Sequence, residues 1–444
     1  MSVFFGTDGL RGVAGVDLSF EVAYKCGNSL SGMVQNGGKV LIAKDSRVSG
    51  DMIVTSLASG LMAGGVNVTY LGTAPTSSVA YLVKLLGFDY GVMITASHNP
   101  PEYNGIKIFS SKGEKLTDKE EEKVERGFIK QKRAKMLCEG KFEFKPSLVK
   151  LYSKYVQEIG TKLYGMRIVL DCSNGATSFV APQIFSKLGA KVYKLSAKAD
   201  GKRINQNCGS LHTKNLVEKV KKVDADFGFA FDGDGDRLIA VDEKGNVVDG
   251  DGILTALATC FKEQGMLSQN KVVGTSQTNI GVEKTLEERG ISLERADVGD
   301  KYVLDMMKKH SLLLGGEQSG HIIVRKYLQT GDGIITAVLF ASFAKQKNKT
   351  ASELSKVHKF PQFNADVVVK EKLRILGSEK LANATLQVQQ ELAGRGRVLV
   401  RASGTEPKIR IMVESEDKDV SKRLAEFLAE VVREGEKEDE LCAE

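Results

Sequence analysis

The sequence predicts an α/β protein with a separate, smaller α+β domain at its C-terminal end. Short apolar runs of strand length alternate with amphipathic stretches of helical length along most of the chain, as in βα units on mixed, mostly parallel sheets. Towards the end this alternation stops, and three strand-like runs around one loop precede a helix with an apolar face. The apolar runs are Val40–Ala43, Val92–Ile94, Ile168–Leu170, Phe229–Phe231 and Leu312–Leu314, and the late strand-like runs are Ala365–Lys370, Arg397–Arg401 and Lys408–Glu414.

Two of the apolar runs resemble each other. Asp89–Ile94 leads into a loop that contains Ser97, and Asp226–Phe231 leads into a loop that begins with Asp232. Similar units are therefore expected to recur along the chain. Because open α/β sheets hold ligands at the carboxyl ends of their strands, these polar loops are expected to carry the chemistry.

The length of 444 residues suits three or four domains. Candidate joints lie near the charged stretch Lys112–Lys145, near Asp249–Asp251, where a hairpin passes into a helix, and near Lys359–Gln362. The domains predicted from these joints are 1–150, 151–250, 251–362 and 363–444.

Composition narrows the class of partner. The chain has 63 basic and 56 acidic residues and a net charge of +7, which suits small anionic ligands but lacks the basic stripe of a nucleic-acid binder. The six cysteines form no CxxC pair and read as reduced thiols. No signal peptide or apolar run of membrane-spanning length is visible. We therefore expect a cytoplasmic protein with no nucleic-acid or membrane partner.

The loop Thr95–Pro100, followed by Asn104–Lys107, is the most informative segment. Ser97 could act as a covalent nucleophile if a base or a cationic setting activates it, and His98 and Lys107 could supply that setting. The alternative is an ordinary turn in which serine, asparagine and proline make local hydrogen bonds.

A second loop, Asp232–Arg237, places Asp232, Asp234 and Asp236 at alternate positions with glycines between them. Three carboxylates on such a turn can face one hard cation, either magnesium or calcium. An EF-hand is disfavoured because Arg237 stands at the sixth position, where that loop needs glycine, and because a strand precedes it. Arg237 could neutralise charge on a transferring phosphoryl group.

Two further loops carry candidate ligand groups. In Gly315–His321, Glu317 and Ser319 offer hydrogen-bond partners to a sugar and His321 could help in proton transfer, although Glu317 could instead cap a helix. The late loop resembles a phosphate clamp by composition, although an ordinary hairpin connection is the alternative. Its candidate contacts are Arg401, Ser403, Gly404, Thr405 and Arg410.

The four motifs TASHNP, DGDGDR, GEQSGH and RASGTEP, in this order, resemble the α-D-phosphohexomutase superfamily, and the resemblance spans essentially the whole chain. Within it, the chain is most similar to bacterial phosphoglucosamine mutases through Phe5–Gly12, Ile204–His212 and Gln318. Three departures are Tyr103, Lys301 and the variant segment Lys44–Arg47; Tyr103 is more typical of the mannose and glucose mutases.

The resemblance implies three similar α/β domains and a smaller C-terminal α+β domain around one cleft. It implies phosphoserine at Ser97 and one Mg²⁺ per subunit on Asp232, Asp234, Asp236 and the serine phosphate. The groups that it implies for charge stabilisation and proton transfer are Arg11, His98, Lys107, Arg237 and His321.

The implied reaction is the interconversion of glucosamine 6-phosphate and glucosamine 1-phosphate, with glucosamine 1,6-bisphosphate as intermediate or primer, for UDP-N-acetylglucosamine and cell-wall synthesis. A phosphomannomutase or phosphoglucomutase is the alternative within the superfamily. A serine hydrolase or phosphatase and a non-catalytic metal or phosphosugar-binding protein are alternatives from other classes; the chain has no GxSxG elbow. A homodimer and an activating kinase remain open.

Overall fold

The computed structural model describes residues 5–6, 9–35, 37–130, 140–403 and 407–442, with side chains for 9–35, 37–128, 140–403 and 407–436. The chain divides into two compact units, one of residues 1–277 with 290–356 and one of residues 278–289 with 357–444. Over the described part of the chain, no helix has the length and apolar character needed to cross a membrane. The cysteine side chains that the structure describes are buried: Cys26, Cys172, Cys208 and Cys260.

The first domain is built on a seven-stranded mixed sheet, in the order β1-β2-β6-β5-β3-β4-β7. The strands are β1 (Phe5–Gly6), β2 (Gly9–Val13), β3 (Lys39–Lys44), β4 (Asn67–Thr73), β5 (Tyr90–Ile94), β6 (Tyr103–Ser110) and β7 (Phe142–Phe144). The helices are α1 (Phe20–Ser31), α2 (Gly50–Ala63), α3 (Thr76–Leu86) and α4 (Asp118–Lys130), and α5 (Val149–Ile159) follows the sheet. Strands β5, β3, β4 and β7 run parallel, whereas β6, β2 and β1 pair antiparallel. The buried aliphatic residues of β3 and β5 pack with those of α1 and α2 as one core.

The second domain has a five-stranded sheet in the order β12-β11-β10-β8-β9. Its strands are β8 (Arg167–Asp171), β9 (Lys191–Leu195), β10 (Phe227–Phe231), β11 (Leu238–Val241) and β12 (Val247–Val248), and its helices are α6 (Val180–Lys187) and α7 (Lys214–Val223). The central strand β10 is buried at every position, which fits its continuous apolar sequence.

The third domain has a four-stranded sheet in the order β14-β13-β15-β16. Its strands are β13 (Lys271–Thr275), β14 (Ser292–Ala296), β15 (Leu314–Gly316) and β16 (Ile322–Val324). The helices along this part of the chain are α8 (Gly250–Glu263), α9 (Ile280–Glu288), α10 (Asp300–Lys309), α11 (Gly333–Lys347) and α12 (Ala351–Leu354). Helix α9 belongs to the second compact unit.

The second compact unit contains a three-stranded antiparallel sheet in the order β17-β19-β18. Its further elements are β17 (Gln362–Val368), α13 (Lys372–Leu376), α14 (Glu379–Leu392), β18 (Gly396–Ala402), β19 (Lys408–Ser415) and α15 (Lys418–Cys442). Apolar residues of α14 and α15 pack on the sheet as one core. The predicted class is confirmed: three α/β domains with mixed sheets precede a smaller α+β domain.

The recurring unit predicted from the sequence has a structural counterpart. Asp89 Oδ2 accepts a 2.8 Å hydrogen bond from the backbone N–H of Lys39 at the start of β3, and Asp226 Oδ2 accepts a 2.7 Å bond from that of Arg167 at the start of β8. Each aspartate thereby ties β5 or β10 to its parallel neighbour.

The same unit also ends alike in all three domains. Strands β5, β10 and β15 each turn back into an antiparallel neighbour, pairing Ile94 with Ile106, Phe231 with Leu238 and Gly316 with Ile322. The serine, aspartate and glutamate loops are therefore three equivalent hairpin loops.

Candidate active site

The serine loop holds Ser97 in an uncommon backbone conformation. Ser97 is fully buried and has φ 50°, in the left-handed region that residues with a side chain rarely adopt. Its N–H donates to Thr95 Oγ1 (2.8 Å), and the Thr95 hydroxyl donates to Asp45 Oδ2 (2.7 Å). The Ser97 Oγ lies 3.3 Å from His98 Nδ1. These contacts fix the direction of the hydroxyl.

The buried side chain of Arg47 supports the serine loop. Its guanidinium is fully buried and donates to the carbonyls of Ser97 (3.0 Å), Asn99 (2.7 Å) and Tyr103 (2.8 Å), and to that of Pro100. Its Nε donates to Asp45 Oδ2 at 3.0 Å, so the buried charge is paired. One side chain therefore donates to three carbonyls of the irregular loop and to that of Tyr103 at the start of β6.

The aspartate loop places three carboxylates beside Ser97. Asp232, Asp234 and Asp236 are all buried, and one oxygen from each lies within 4.8 Å of the others. The Ser97 hydroxyl donates to Asp232 Oδ2 at 2.5 Å, and the N–H of Arg237 donates to Asp232 Oδ1 at 3.1 Å. The serine and aspartate loops thus form one site.

The serine and aspartate loops can lie side by side because their backbones approach each other closely at Gly233. A Cβ atom on Gly233 would lie 2.5 Å from the carbonyl oxygen of Ser97, so only glycine fits at that position. Asn205 Nδ2 donates to the carbonyls of Ser97 (2.8 Å) and Asn99 (3.0 Å) from the second domain. From the first domain, Thr76 Oγ1 donates to Asp234 Oδ2 at 2.6 Å.

Cationic groups surround the carboxylates. Lys107 is 1% exposed, and its Nζ lies 3.0 Å from both Asp234 Oδ2 and Asp236 Oδ2. Burial and the carboxylates of Asp236 and Asp234 raise the pKa of Asp232 well above its usual range. Burial alone would also raise the pKa of Asp236, but Lys107, the His321 imidazole and Arg237 hold it well below its usual range.

The donor set of the loop fits a hard divalent cation. Asp234 Oδ1 and Asp236 Oδ1 are buried and accept no hydrogen bond from the described residues. Buried carboxylate oxygens without a donor are costly, and a cation bound by these two oxygens and Asp232 would remove that cost. Asp232, Asp234 and Asp236 can therefore hold Mg²⁺ or another oxygen-preferring cation.

The glutamate loop contributes His321 to the same site. Its backbone pairs with that of Arg237, and its Nδ1 lies 3.7 Å from Asp236 Oδ1 while its Nε2 lies 3.3 Å from Asp300 Oδ2. Burial lowers the pKa of His321, but the carboxylates of Asp300 and Asp236 outweigh this and raise it.

Glu317 lies in the same hairpin loop and is partly fixed. Its Oε1 accepts a 3.0 Å hydrogen bond from the N–H of Gly299, the residue that caps the start of α10. Glu317 thus accepts a hydrogen bond at the start of a helix, which is the capping role that the sequence analysis gave as the alternative to a sugar contact. Burial raises the pKa of Glu317. Ser319 is exposed at the tip of the loop.

The arginine loop joins β18 to β19 in the second compact unit. Arg401 and Arg410 lie directly opposite each other on these strands, and Asp366 of β17 lies opposite Arg410. Burial and the neighbouring charge of Arg410 lower the pKa of Arg401. Ser403 is buried, and its carbonyl accepts a 2.8 Å hydrogen bond from Lys372 Nζ. Gly404 and Thr405 lie outside the described residues.

Four matches with known domain families follow the order of these loops. Residues 2–135, 150–245 and 249–360 match the α/β/α domains I, II and III of phosphoglucomutase/phosphomannomutase, and residues 364–431 match its C-terminal domain. The chain belongs to the phosphoglucomutase/phosphomannomutase family. The sequence resemblance to the superfamily is therefore confirmed.

Relatives and solved structures agree with this family. The chain is 44% identical over 443 residues to a phosphoglucosamine mutase of Thermoanaerobacter sp., and 42% identical over 441 residues to that of Carboxydothermus hydrogenoformans, covering 97% of this chain and 99% of each relative. A phosphoglucomutase/phosphomannomutase family protein of Burkholderia thailandensis superposes with a TM-score of 0.82 at 22% identity, with 97% of both chains covered. The N-acetylphosphoglucosamine mutase of Aspergillus fumigatus, solved with GlcNAc-6P and magnesium, has a TM-score of 0.68 at 18% identity over 98% of this chain and 96% of that one. The two structures show the same fold.

Most of the candidate residues that the sequence suggested lie together in this family member. In the first compact unit, Ser97, His98 and Lys107 lie at the aspartate loop, as does His321 from the third domain. Arg11 reaches the serine loop, where its Nη1 donates to Asn99 Oδ1 at 3.2 Å.

Sequence reasoning missed several supporting residues of this family site. Arg47, Thr76, Asn205 and Asp300 all contact residues of the serine, aspartate or glutamate loops. Arg47 lies in the segment Lys44–Arg47, and Asp300 lies next to Lys301. The sequence analysis mentioned both places only because they differ from the family pattern. Asn205 lies within Ile204–His212, which the sequence analysis used only for the resemblance. No motif of adjacent residues marks Thr76, because its contact joins distant parts of the chain.

Proposed function

We propose that the chain is a phosphosugar mutase that interconverts glucosamine 6-phosphate and glucosamine 1-phosphate through phospho-Ser97 and glucosamine 1,6-bisphosphate. The observation that carries this proposal is the buried hydroxyl of Ser97, 2.5 Å from a carboxylate of a three-aspartate loop. A serine in this setting has the cationic and acidic partners needed to accept and return a phosphoryl group. The full-length similarity to phosphoglucosamine mutases supports the choice of sugar.

The proposed reaction runs in two balanced transfers. The free hydroxyl of the hexose phosphate attacks phosphorus, the bond between phosphorus and Ser97 Oγ breaks, and Lys107 or His98 takes the hydroxyl proton. The bisphosphate then reorients within the site. Ser97 Oγ attacks its other phosphate, the bond between that phosphorus and the sugar oxygen breaks, and the base returns the proton to the sugar oxygen. Arg237 and Arg11 stabilise the transferring charge, and His321 serves proton transfer.

Asp232, Asp234, Asp236 and the serine phosphate would hold one Mg²⁺. The cation would supply charge neutralisation to the phosphoryl oxygens. The support for this ligand set is the pair of buried aspartate oxygens that accept no hydrogen bond from the described residues. Since a phosphoserine carries about 1.5 to 2 negative charges near neutral pH, the three carboxylates alone would repel it.

We assign the substrate's second phosphate to the arginine loop, at Arg401, Ser403, Gly404, Thr405 and Arg410. The guanidinium groups of Arg401 and Arg410 belong to residues that lie opposite each other. A dianionic phosphate could neutralise both, so this pair suits such a ligand. Gripping only the phosphate would serve both orientations of the bisphosphate, and Glu317 and Ser319 would hold the sugar hydroxyls or amine.

The proposal also covers the location, pathway and domain organisation of the protein. We propose a cytoplasmic enzyme that feeds UDP-N-acetylglucosamine and cell-wall synthesis, with domains at 1–150, 151–250, 251–362 and 363–444. A homodimer and a kinase that first phosphorylates Ser97 are compatible with this function.

Product analysis tests the function directly. The protein is incubated with Mg²⁺, a trace of hexose 1,6-bisphosphate and, in parallel, the 6-phosphates of glucosamine, glucose and mannose. We expect glucosamine 1-phosphate to form fastest. Faster turnover of glucose or mannose 6-phosphate would favour the alternative mutases, and release of inorganic phosphate in proportion to turnover would indicate a phosphatase. Binding without turnover of any sugar would contradict the proposal.

A further inference from the structure

The turn between β14 and α10 supports two side chains of the glutamate loop at once. The N–H of Gly299 donates to Glu317 Oε1 at 3.0 Å, and the next residue, Asp300, places Oδ2 3.3 Å from His321 Nε2. Asp300 is the first residue of α10, where the positive end of the helix dipole favours a carboxylate.

A lysine from the first domain fixes the carboxylate of Asp300. Lys115 Nζ lies 2.6 Å from Asp300 Oδ2, and the two side chains are only 14% and 13% exposed. An ion pair so largely removed from water is held more firmly than a surface pair, since solvent and salt screen it less.

Packing leaves the His321 ring little freedom to turn. The ring is 4% exposed and lies between Asp300 and Asp236. The backbone of Gly331 rests against it, since a Cβ atom at Gly331 would lie 2.4 Å from Nε2, and the Gly331 N–H donates a 3.1 Å hydrogen bond to the same nitrogen. The Gly331 hydrogen bond and the neighbouring Asp300 carboxylate therefore both act at Nε2, and together they hold the ring with Nδ1 towards the aspartate loop.

We propose that Asp300, held by Lys115, is a positioning residue that sets the orientation of His321 at the reacting site. This inference rests on the proposed mutase function. A second ion pair between the same two parts of the chain provides a comparison: Lys308 Nζ lies 2.8 Å from Glu114 Oε2, and this pair has no contact with the glutamate loop among the described residues.

Steady-state kinetics of Asp300→Asn, Lys115→Met and the control Lys308→Met test the proposal. We expect Asp300→Asn to lower kcat about 10- to 100-fold, as loss of an outer partner of a functional histidine does, with KM changed less than about twofold. Lys115→Met should act in the same direction with a smaller effect. Lys308→Met should leave both constants unchanged. Melting temperatures establish that each variant is folded.

A double-mutant cycle shows whether Asp300 acts through His321. In a His321→Gln background, Asp300→Asn should cost almost nothing further, because the group that it positions is gone. An effect of Asp300→Asn that is as large in that background as in the wild type would overturn the proposal, as would an unchanged kcat in the single variant.

A spectroscopic readout separates this inference from the proposed function. In ¹⁵N-histidine-labelled protein, the ring signals of His321 are those lost in His321→Gln. Asp300→Asn and Lys115→Met should shift these ring nitrogen signals at fixed pH, and Lys308→Met should not. Unshifted signals in both variants would refute the positioning role whether or not the wild type turns over a phosphosugar.

Discussion

The Ser97 hydroxyl donates a 2.5 Å hydrogen bond to Asp232 Oδ2, joining two loops that are 135 positions apart in the sequence. Both residues are fully buried, and both lie in the loop at the end of a strand that is parallel to a neighbour: Asp232 directly follows β10, and Ser97 lies beyond Thr95 and Ala96 after β5. The ends of two equivalent strands thus meet at one point, where the proposed nucleophile lies beside three carboxylates that could hold a cation.

Asp234→Asn should weaken Mg²⁺ binding at least about tenfold, because it replaces one of three anionic ligands with a neutral amide. Isothermal titration calorimetry on the unphosphorylated protein measures this directly.

Asp242→Asn is the matched control for this variant. Asp242 is also buried and follows the next strand, but its Oδ1 accepts from Asn246 N (2.7 Å) and Lys244 N (3.0 Å) in a turn. It should bind Mg²⁺ as the wild type does. Equal affinities for Asp234→Asn and Asp242→Asn would remove Asp234 from the metal site.

Arg47→Lys should lower kcat about 10- to 100-fold, since an ammonium cannot reach all four carbonyls that the guanidinium satisfies in the serine loop and at the start of β6. Phosphorylation of Ser97 by a hexose 1,6-bisphosphate, followed by intact mass, should slow in parallel.

Arg325→Lys controls for the loss of an arginine that binds backbone carbonyls. Arg325 Nη1 donates to the carbonyls of Met307 (2.9 Å) and Leu312 (3.2 Å) without touching the serine loop. We expect near-normal turnover in this variant. Wild-type rates of Ser97 phosphorylation in Arg47→Lys would show that the loop keeps its shape without the guanidinium.

Asp332 should make stability depend on pH. It caps α11 and accepts from the Tyr152 hydroxyl at 2.7 Å, and burial raises the pKa of its carboxyl to about 6. A carboxyl with a raised folded-state pKa contributes stability that is fully present below its unfolded pKa of about 4 and is lost as pH rises through about 6.

Melting temperatures of the wild type and Asp332→Asn, measured from pH 4.5 to pH 7.5, isolate this contribution. The asparagine keeps the cap but cannot ionise. The wild type should lose about 2–4 °C relative to the variant as the pH rises through about 6. A constant difference between the two curves would mean that Asp332 does not titrate in this range.

Glu414→Ala should destabilise the second compact unit by about 3–5 kcal/mol, because it leaves buried cationic and amide donors without their acceptor. Glu414 is fully buried and accepts from Arg397 Nη2 (3.0 Å), Asn279 Nδ2 (3.3 Å) and the N–H of Ile280 (3.1 Å). Denaturant unfolding of the full chain measures the change.

The control is Glu416→Ala, since Glu416 is 57% exposed and lies 3.7 Å from Lys284 Nζ. Removing an exposed pair of this kind should cost less than about 1 kcal/mol. Similar losses for the two variants would show that burial of Glu414 does not determine its contribution.

The sequence predicted strands and loops well where the signal was local. The apolar runs before Ser97 and Asp232 are strands β5 and β10, because continuous buried strands are apolar at every position. The run at Leu312–Leu314 was placed too early, and the strand is Leu314–Gly316. The sequence predicted mixed sheets but not which strands pair antiparallel with β5 and β10, although a loop as short as 232–237 excludes the long crossover that a parallel partner needs.

Contacts between distant segments could not be predicted in the same way. Arg47 binds backbone carbonyls. Every residue type has a backbone carbonyl, so the sequence does not show which of them a side chain will bind. The meeting of Ser97 with Asp232 was expected from the resemblance, which implies one cation on the serine phosphate and the three aspartates, whereas nothing in the sequence indicated the support of His321 by Asp300.

Labelling with a hexose 1,6-bisphosphate carrying ³²P tests the central claim most directly. The protein is incubated with the labelled compound and Mg²⁺ and digested, and the labelled residue is identified by mass spectrometry. Ser97 should carry the label, and Ser97→Ala should take up none and lose turnover while Ser173→Ala, a buried serine with φ 49°, keeps both. Label on another residue, or full turnover in Ser97→Ala, would contradict the account.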